Sequence, residues 1–378
     1  MTDFGLALVL ILAWAYLIGS TVAALRFARR PIVAPAERPP VSVLKPLHGA
    51  EPGLYENLRS FVDQDYPAMQ VVFGVRHSAD MALPVARALM RNRPEKDLEL
   101  VVDARTIGSN LKVANLENML PAASHDFIVL ADSDMRVDPH YLGAATAPLR
   151  DPRNGLVTCL YKGVPMGGLW SQFGAMHINF AFLPSALLGE MLSTGGGCFG
   201  ATIALRREVL ERIGGFARIR DELADDHRLG DAVRELGLAT VLSPYIVENR
   251  LAEPSLSSLW RHELRWARTV RAMAPFGFAG SIVTHTVVLA LLAGAAAGFS
   301  AIACWLALIS CMLRWISAGI IARSLALPIG GLWLLPLRDV LSFAVFIGSF
   351  CGRSVLWRDQ LFRVEPGGRM TVEGDKPV

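Results

Sequence analysis

The stretch Ile128-Val129-Leu130-Ala131-Asp132-Ser133-Asp134 decides how the rest of this chain is read. An apolar run of strand length ends in two carboxylates spaced i, i+2. If strand alternation continued through them, both side chains would point to one side. Hard divalent cations such as Mg²⁺ or Mn²⁺ take oxygen ligands, and one or two carboxylates can tie such an ion to substrate phosphates. Asp and Ser also turn the chain by bonding nearby backbone, so a bare Asp-x-Asp is weak. Its position after a fully apolar strand raises Asp132 and Asp134 as metal ligands.

Outward from this point, short apolar runs alternate with helix-like stretches. Strands are predicted at Val41–Leu44, Gln70–Val75, Leu98–Val102, Phe127–Ala131 and Leu156–Leu160, and helices at Gly53–Val62, Met81–Arg91, Leu111–Leu120 and Pro139–Leu149. That rhythm implies an α/β fold, a mostly parallel sheet with helices on both faces. Ligands of such sheets bind beyond the carboxyl ends of the strands, where Asp132 and Asp134 would lie.

Composition places this domain at a membrane. Of 378 residues, 52% are hydrophobic and 19% charged, with a mean hydropathy of +0.38. The apolar excess is confined to residues 4–25 and 281–352. Phe4–Leu25 is long enough to span a bilayer. It lacks the basic start of a cleaved signal, and Arg26, Arg29 and Arg30 place its end in the cytoplasm. Ser281–Gly298, Ala301–Ile321 and Gly331–Phe350 are further candidate spans. Arg353, Arg358, Arg363 and Arg369 favour a cytoplasmic C-terminus, so one of these three is expected to be re-entrant, interfacial or split. The five scattered cysteines support neither a disulfide framework nor a zinc site, and a net charge of +3 without a basic stripe argues against nucleic acid.

Three further groups could carry chemistry. Asp225-Asp226 opens a probable helix; acids there often cap free N–H groups, a role that suits Asp225 and leaves Asp226 as a base toward an attacking hydroxyl. His262-Glu263-Leu264-Arg265-Trp266 lies in a basic, aromatic helix whose Arg261, Arg265 and Arg268 share overlapping faces, suited to a diphosphate or to lipid phosphates. Lys112, Asn115 and Asn118 could touch donor or acceptor, although a lone Lys112 is more often a solvated helix residue. In Thr194-Gly195-Gly196-Gly197-Cys198-Phe199-Gly200 no Lys-Ser/Thr follows, so a P-loop is rejected; Gly196 and Gly197 suit close backbone approach to a sugar ring. Leu169–Leu192, apolar yet carrying His177, Asn179 and Glu190, reads equally as core or as a surface-lying helix that admits a lipid.

In their order and spacing these pieces resemble the ceramide glucosyltransferase-like glycosyltransferases of GT-A (Rossmann-like) fold. The cues are Pro40-Val41-Ser42-Val43-Leu44-Lys45-Pro46-Leu47, Gln64-Asp65-Tyr66-Pro67, Asp80, Asp132-Ser133-Asp134, Asp226 and Arg265-Trp266. Leu44–Pro52, Cys198–Arg207 and His262–Arg268 are similar to the bacterial hopanoid-biosynthesis-associated members. The resemblance implies inverting transfer of N-acetylglucosamine, otherwise glucose, from a UDP-sugar donor to a membrane lipid acceptor, a hopanoid polyol. It implies a divalent cation, Mg²⁺ or Mn²⁺. By it Asp80 would hold the uridine, Asp132 and Asp134 the diphosphate and metal, Asp226 would be the base, and Arg265 and Trp266 would line the diphosphate and acceptor. From the residue reading above, Lys112 is added as a donor contact and Asp225, His262, Gly196 and Gly197 as acceptor or secondary residues. His262 departs from the Gln/Arg of the family motif, and Ala79-Asp80 from its double acid. Residues 1–30 are then a membrane anchor, 31–274 the catalytic domain with interfacial helices, 275–352 a transmembrane region and 353–378 a tail. The whole would be a multi-pass protein of the bacterial inner membrane with its catalytic domain cytoplasmic. Alternatives are a ceramide or diacylglycerol glucosyltransferase, a processive polysaccharide synthase, and an inactive lipid-binding scaffold.

Overall fold

The computed structural model describes residues 2–32, 37–193, 197–357, 360–365 and 367–372. In chain order the elements are α1 (Thr2–Ala28), β1 (Val41–Pro46), α2 (Leu54–Val62), β2 (Met69–Val75), α3 (Ala82–Asn92), β3 (Asp97–Val102) and α4 (Leu111–Met119). They continue through β4 (Phe127–Ala131), β5 (Met135–Arg136), α5 (Tyr141–Thr146), β6 (Asn154–Pro165), α6 (Leu169–His177) and α7 (Leu183–Leu192). Next come β7 (Thr202–Arg206), α8 (Arg207–Arg212), α9 (Asp225–Glu235), β8 (Ala239–Leu251) and α10 (Leu256–Met273). The chain ends with α11 (Pro275–Gly280), α12 (Thr286–Ala296), α13 (Ala301–Ser324), α14 (Leu335–Ser349), β9 (Ser354–Trp357), β10 (Gln360–Val364) and β11 (Met370–Val372). Two compact units form: Pro31–Lys162 with Ser193–Ala252, and Met1–Arg30 with Gly163–Leu192 and Glu253–Val378.

The first unit is built on an eight-stranded sheet of order β3-β2-β1-β4-β7-β6-β8-β5. Pairing is parallel from β3 to β4, where alternating strands and helices force crossovers. Beyond β4 the sheet is mixed: β7 runs antiparallel to both β4 and β6, and β5 antiparallel to β8. The uniform hydrophobicity of β4 follows from burial on both faces. Its Val129 and Ala131 pack with Phe61, Phe73 and Tyr141, while Ile128 and Leu130 pack with Leu116, Val72 and Phe216 on the other side. Edge strand β3 instead alternates and carries Asp97 and Glu99, charges that discourage further pairing. Asn115 and Asn118, read above as ligand contacts, are buried in this packing. Their side chains donate to the carbonyl oxygens of Gly74, and of Asp103 and Arg105. A methyl at Gly74 would lie 2.2 Å from the Met119 sulfur, so glycine there admits α4 against β2.

The second unit has the inverse pattern. Ile11, Ile18, Ile302 and Trp305 are exposed, while Ser310, Arg314, Ser317, Arg338 and Asp339 are buried. Polar side chains pair between helices: Trp14 Nε1 donates to Ser310 Oγ at 2.9 Å, and the Thr21 and Ser317 hydroxyls bond at 2.7 Å. Such an arrangement suits helices surrounded by hydrocarbon. Ala7–Ala28, Ala301–Ser324 and Leu332–Ser349 are long and apolar enough to cross a membrane. The segment expected at Ser281–Gly298 is the irregular one: Pro275–Thr284 meets Thr286–Ala296 at a 73° bend. Residues 353–372, expected within a tail, contain the antiparallel sheet β11-β10-β9 among the described residues. Arg268, assigned above to a phosphate-facing surface, is held by the backbone carbonyls of Ser354 and Cys351.

Arg314 grips Asp339 through two bonds of 2.9 Å, with both side chains 7% exposed. Removing one partner strands the other charge in a buried apolar setting. Asp339→Ala is expected to cost about 3–5 kcal/mol, whereas the charge-free double variant Arg314→Met/Asp339→Leu recovers much of that loss. Thermal unfolding of the three proteins in one detergent compares them.

Candidate active site

The parallel half of the sheet delivers its polar residues to one edge. Asp132 and Asp134 follow β4, and Asp80 follows β2. β4 stops at Ala131, and Asp132–Asp134 form a turn before β5. Alternation therefore does not carry through the motif, and the two carboxylates meet different partners. Asp134 Oδ2 accepts from Asn249 Nδ2 at 2.7 Å, while Asp132 Oδ1 lies 2.7 Å from Lys112 Nζ.

Lys112 is the hub. It sits in the first turn of α4, where the Asn110 side chain caps the Lys112 and Val113 N–H groups. Asn110 also bonds the loop before α9, through the Arg220 and Glu222 carbonyls, and Asp221 accepts from Ser109. This lashing brings the start of α9 to Lys112, whose ammonium is 3.5 Å from Asp225 Oδ2. Burial opposes the charge on Lys112, but Asp132 and Asp225 outweigh it and hold its pKa above the ordinary range.

Asp226 shares the backbone-bonding role expected of Asp225. Asp225 faces Lys112, whereas Asp226 takes the backbone groups: Oδ1 accepts from His227 N–H and Oδ2 from Gly200 N–H, each at 2.8 Å. Only the tertiary position of Lys112 distinguishes them. Burial raises the Asp226 pKa from 3.8 to about 6, with the Asp225 charge adding to it and Lys112 and the two N–H groups opposing. Asp225 is also raised, by burial first.

Asp80 Oδ1 accepts from Gly49 and Ala82 N–H, and Oδ2 faces His48 at 3.5 Å, so it braces the loop after β1 and the start of α3. Gly196 lies outside the described residues; Gly197 abuts the ring of Phe199, 2.9 Å from where a Cβ would stand. Lys45 of β1 is a site residue that the sequence alone left without a role. Fully buried, it donates to the Asp132 carbonyl and stands 3.6 Å over the Phe61 ring. Burial lowers its pKa to about 7 against the pull of Asp132, Asp134 and Glu51. The available signal was a charged lysine inside a short, fully buried strand, Val41–Pro46.

Among the described residues no three His, Cys, Asp or Glu side chains gather as a metal cage. Asp132 and Asp134 fit the other mode of hard cations, in which one or two carboxylates share the ion with substrate phosphates and water. In the membrane unit, His262 Nδ1 bonds Glu253 at 2.7 Å, and Trp266 meets the His262 ring edge-on, at 4.3 Å between centroids, and lies near-parallel to the His177 ring, at 6.5 Å. Arg265 is half-buried on the same helix.

Because the Lys112 cation lowers the Asp226 pKa, Lys112→Met is expected to move it above about 6. Titration of carboxyl-labelled aspartate by NMR reads the change, and an unmoved value would break the electrostatic link.

Comparison with known proteins follows the same lines. Ceramide glucosyltransferase 1 of Caenorhabditis elegans is 23% identical over 349 residues, 88% of this chain and 73% of the relative. Ceramide glucosyltransferase 3 of the same organism is 27% identical over 243 residues, 63% of this chain and 52% of that protein. Among solved structures, a mannosyltransferase of Pyrobaculum calidifontis in complex with GDP-Man and Mn²⁺ superposes with a TM-score of 0.54 at 21% identity, covering 91% of this chain and 99% of that one. The likeness carries the GT-A fold. The family model for glycosyl transferase family 21 matches residues 5–370, and the chain belongs to that family, a ceramide glucosyltransferase-like GT-A glycosyltransferase.

Proposed function

We propose that this glycosyltransferase carries out inverting transfer from a UDP-sugar to the hydroxyl of a membrane lipid. The observation that carries it is the meeting of Asp132, Lys112, Asp225 and a proton-ready Asp226 at one sheet edge. Asp226 removes the proton of the attacking hydroxyl as it approaches the anomeric carbon opposite the leaving diphosphate. Its two backbone N–H bonds fix the carboxylate's orientation while leaving lone pairs free for that proton. Lys112 compensates the neighbouring carboxylates, and Lys45 fixes the main chain of the Asp132 turn. A bound Mg²⁺ or Mn²⁺, held by Asp134 with Asp132, would neutralise charge developing on the diphosphate. Mn²⁺ in the mannosyltransferase complex supports this choice.

By family resemblance Asp80 holds the uridine, Arg265 gives the diphosphate a bidentate contact and Trp266 lies beside the acceptor. The same resemblance favours N-acetylglucosamine over glucose and a hopanoid polyol over ceramide. The helices able to span a bilayer and the relatives named ceramide glucosyltransferase support a lipid acceptor and a membrane location. Arg26, Arg29 and Arg30 after the first span favour a cytoplasmic catalytic unit, and the family resemblance favours a bacterial inner membrane.

Asp226→Asn is expected to lose transfer by at least a thousandfold while still binding UDP-sugar; near-normal turnover would remove Asp226 from the base role. A base must be unprotonated, so kcat should climb as pH rises through about 6 and level off above it. Asp134→Ala should abolish the gain in donor affinity that Mn²⁺ confers, measured by calorimetry with and without the ion. Purified protein offered several UDP-sugars with bacteriohopanetetrol, ceramide and diacylglycerol, with mass spectrometry of the products, tests the substrates.

A further inference from the structure

A second polar cluster lies wholly inside the membrane unit. Arg338 of α14 is 1% exposed and Glu263 of α10 is 3% exposed, and their side chains meet at 2.6 Å. That contact uses one nitrogen and one oxygen. Arg338 Nε and Nη1, Glu263 Oε1 and His177 Nδ1 are all buried without a hydrogen-bond partner among the described residues. Buried guanidinium and carboxylate groups are ordinarily saturated, because each orphaned donor or acceptor forfeits its hydration. His177 is close enough to Glu263 and Arg338 to feel both charges, and burial drives its pKa to about 4, so its ring is neutral. It ends α6 at the entry to a π-helical turn, Ile178–Phe182, a local departure from α geometry that often marks functional positions. Half-buried Trp266 stacks on the His177 ring and forms an aromatic wall beside the cluster.

The free valences specify the ligand. Arg338 offers donors, Glu263 an acceptor, and neutral His177 either one according to its tautomer. Charge cancels within the Arg338–Glu263 pair, so a phosphate would have to displace Glu263, whereas an alcohol can accept from one member and donate to the other. We propose that the Arg338–Glu263–His177 cluster binds the free hydroxyl groups of an uncharged membrane lipid. This rests on the reading of a lipid acceptor and names the side chains that would hold its polar head. Trp266 and the surrounding apolar helices would take the hydrocarbon next to that head.

The test measures binding rather than turnover. The full-length Asp226→Asn protein, in phosphatidylcholine nanodiscs, is offered bacteriohopanetetrol, N-octanoylsphingosine or dioleoylglycerol, with hydroxyl-free trioleoylglycerol as the control, and retention is read by native mass spectrometry. At least one hydroxylated lipid should be retained in preference to trioleoylglycerol. His177→Phe, which keeps a ring against Trp266, and the charge-balanced Arg338→Gln/Glu263→Gln should each weaken retention about tenfold or more while UDP-sugar affinity is unchanged. Equal retention of trioleoylglycerol, or full retention of the hydroxylated lipid in either folded variant, overturns the proposal and leaves the cluster closed over water. Binding of none of the lipids overturns it as well. If Asp226→Asn still turns over, the base assignment fails alone, because lipid retention by the cluster is scored without it.

Discussion

One ammonium group governs the catalytic unit. Lys112 stands between Asp132 and Asp225, and its charge opposes the burial and mutual repulsion that raise the pKa values of Asp225 and Asp226. Its position depends on much of the architecture. β4 must bring Asp132 to the edge of the parallel half, Asn110 must start α4 at the right residue, and the Arg220–Glu222 loop must bond Asn110 so that α9 begins beside it. Local capping, sheet order and a long-range loop contact therefore converge on one charge balance. The same balance leaves Asp226 with a pKa of about 6, poised to exchange a proton near neutral pH.

The membrane unit solves the opposite problem. In the catalytic cleft, charges are only partly screened from solvent; among the packed helices they are sealed, and each needs a partner in the protein. Arg314 and Asp339 satisfy one another through two parallel bonds. Arg338 and Glu263 do so only in part, and the difference between these neighbouring pairs is what marks the second as a binding cluster. Adjacent residues of α14 thus serve as brace and receptor.

Much of the fold was legible because burial on both faces writes a continuous apolar run into a strand, and bilayer length writes one into a helix. β1 to β4 and the candidate spans at 301–324 and 332–349 lie close to where pattern reading put them. The bend at His285 was anticipated as an irregular segment but not located, since residues 281–288 hold no Gly or Pro to mark a break. The antiparallel additions β7 and β8 escaped notice; their short or half-exposed patterns acquire meaning only beside β4 and β6.

For the site, sequence alone determined residue chemistry and element ends: two carboxylates after an apolar strand, two at a helix start, an aromatic-basic helix. Those are local facts, fixed by periodicity and capping rules that act over a few residues. Tertiary structure decided partnership. It gave Lys112 to Asp132 and Asp225, gave the backbone N–H groups to Asp226, consigned Asn115, Asn118 and Arg268 to packing, and put a buried lysine, Lys45, beneath the Asp132 turn. Electrostatic interaction depends on distance through space and on burial, and neither quantity is a function of separation along the chain.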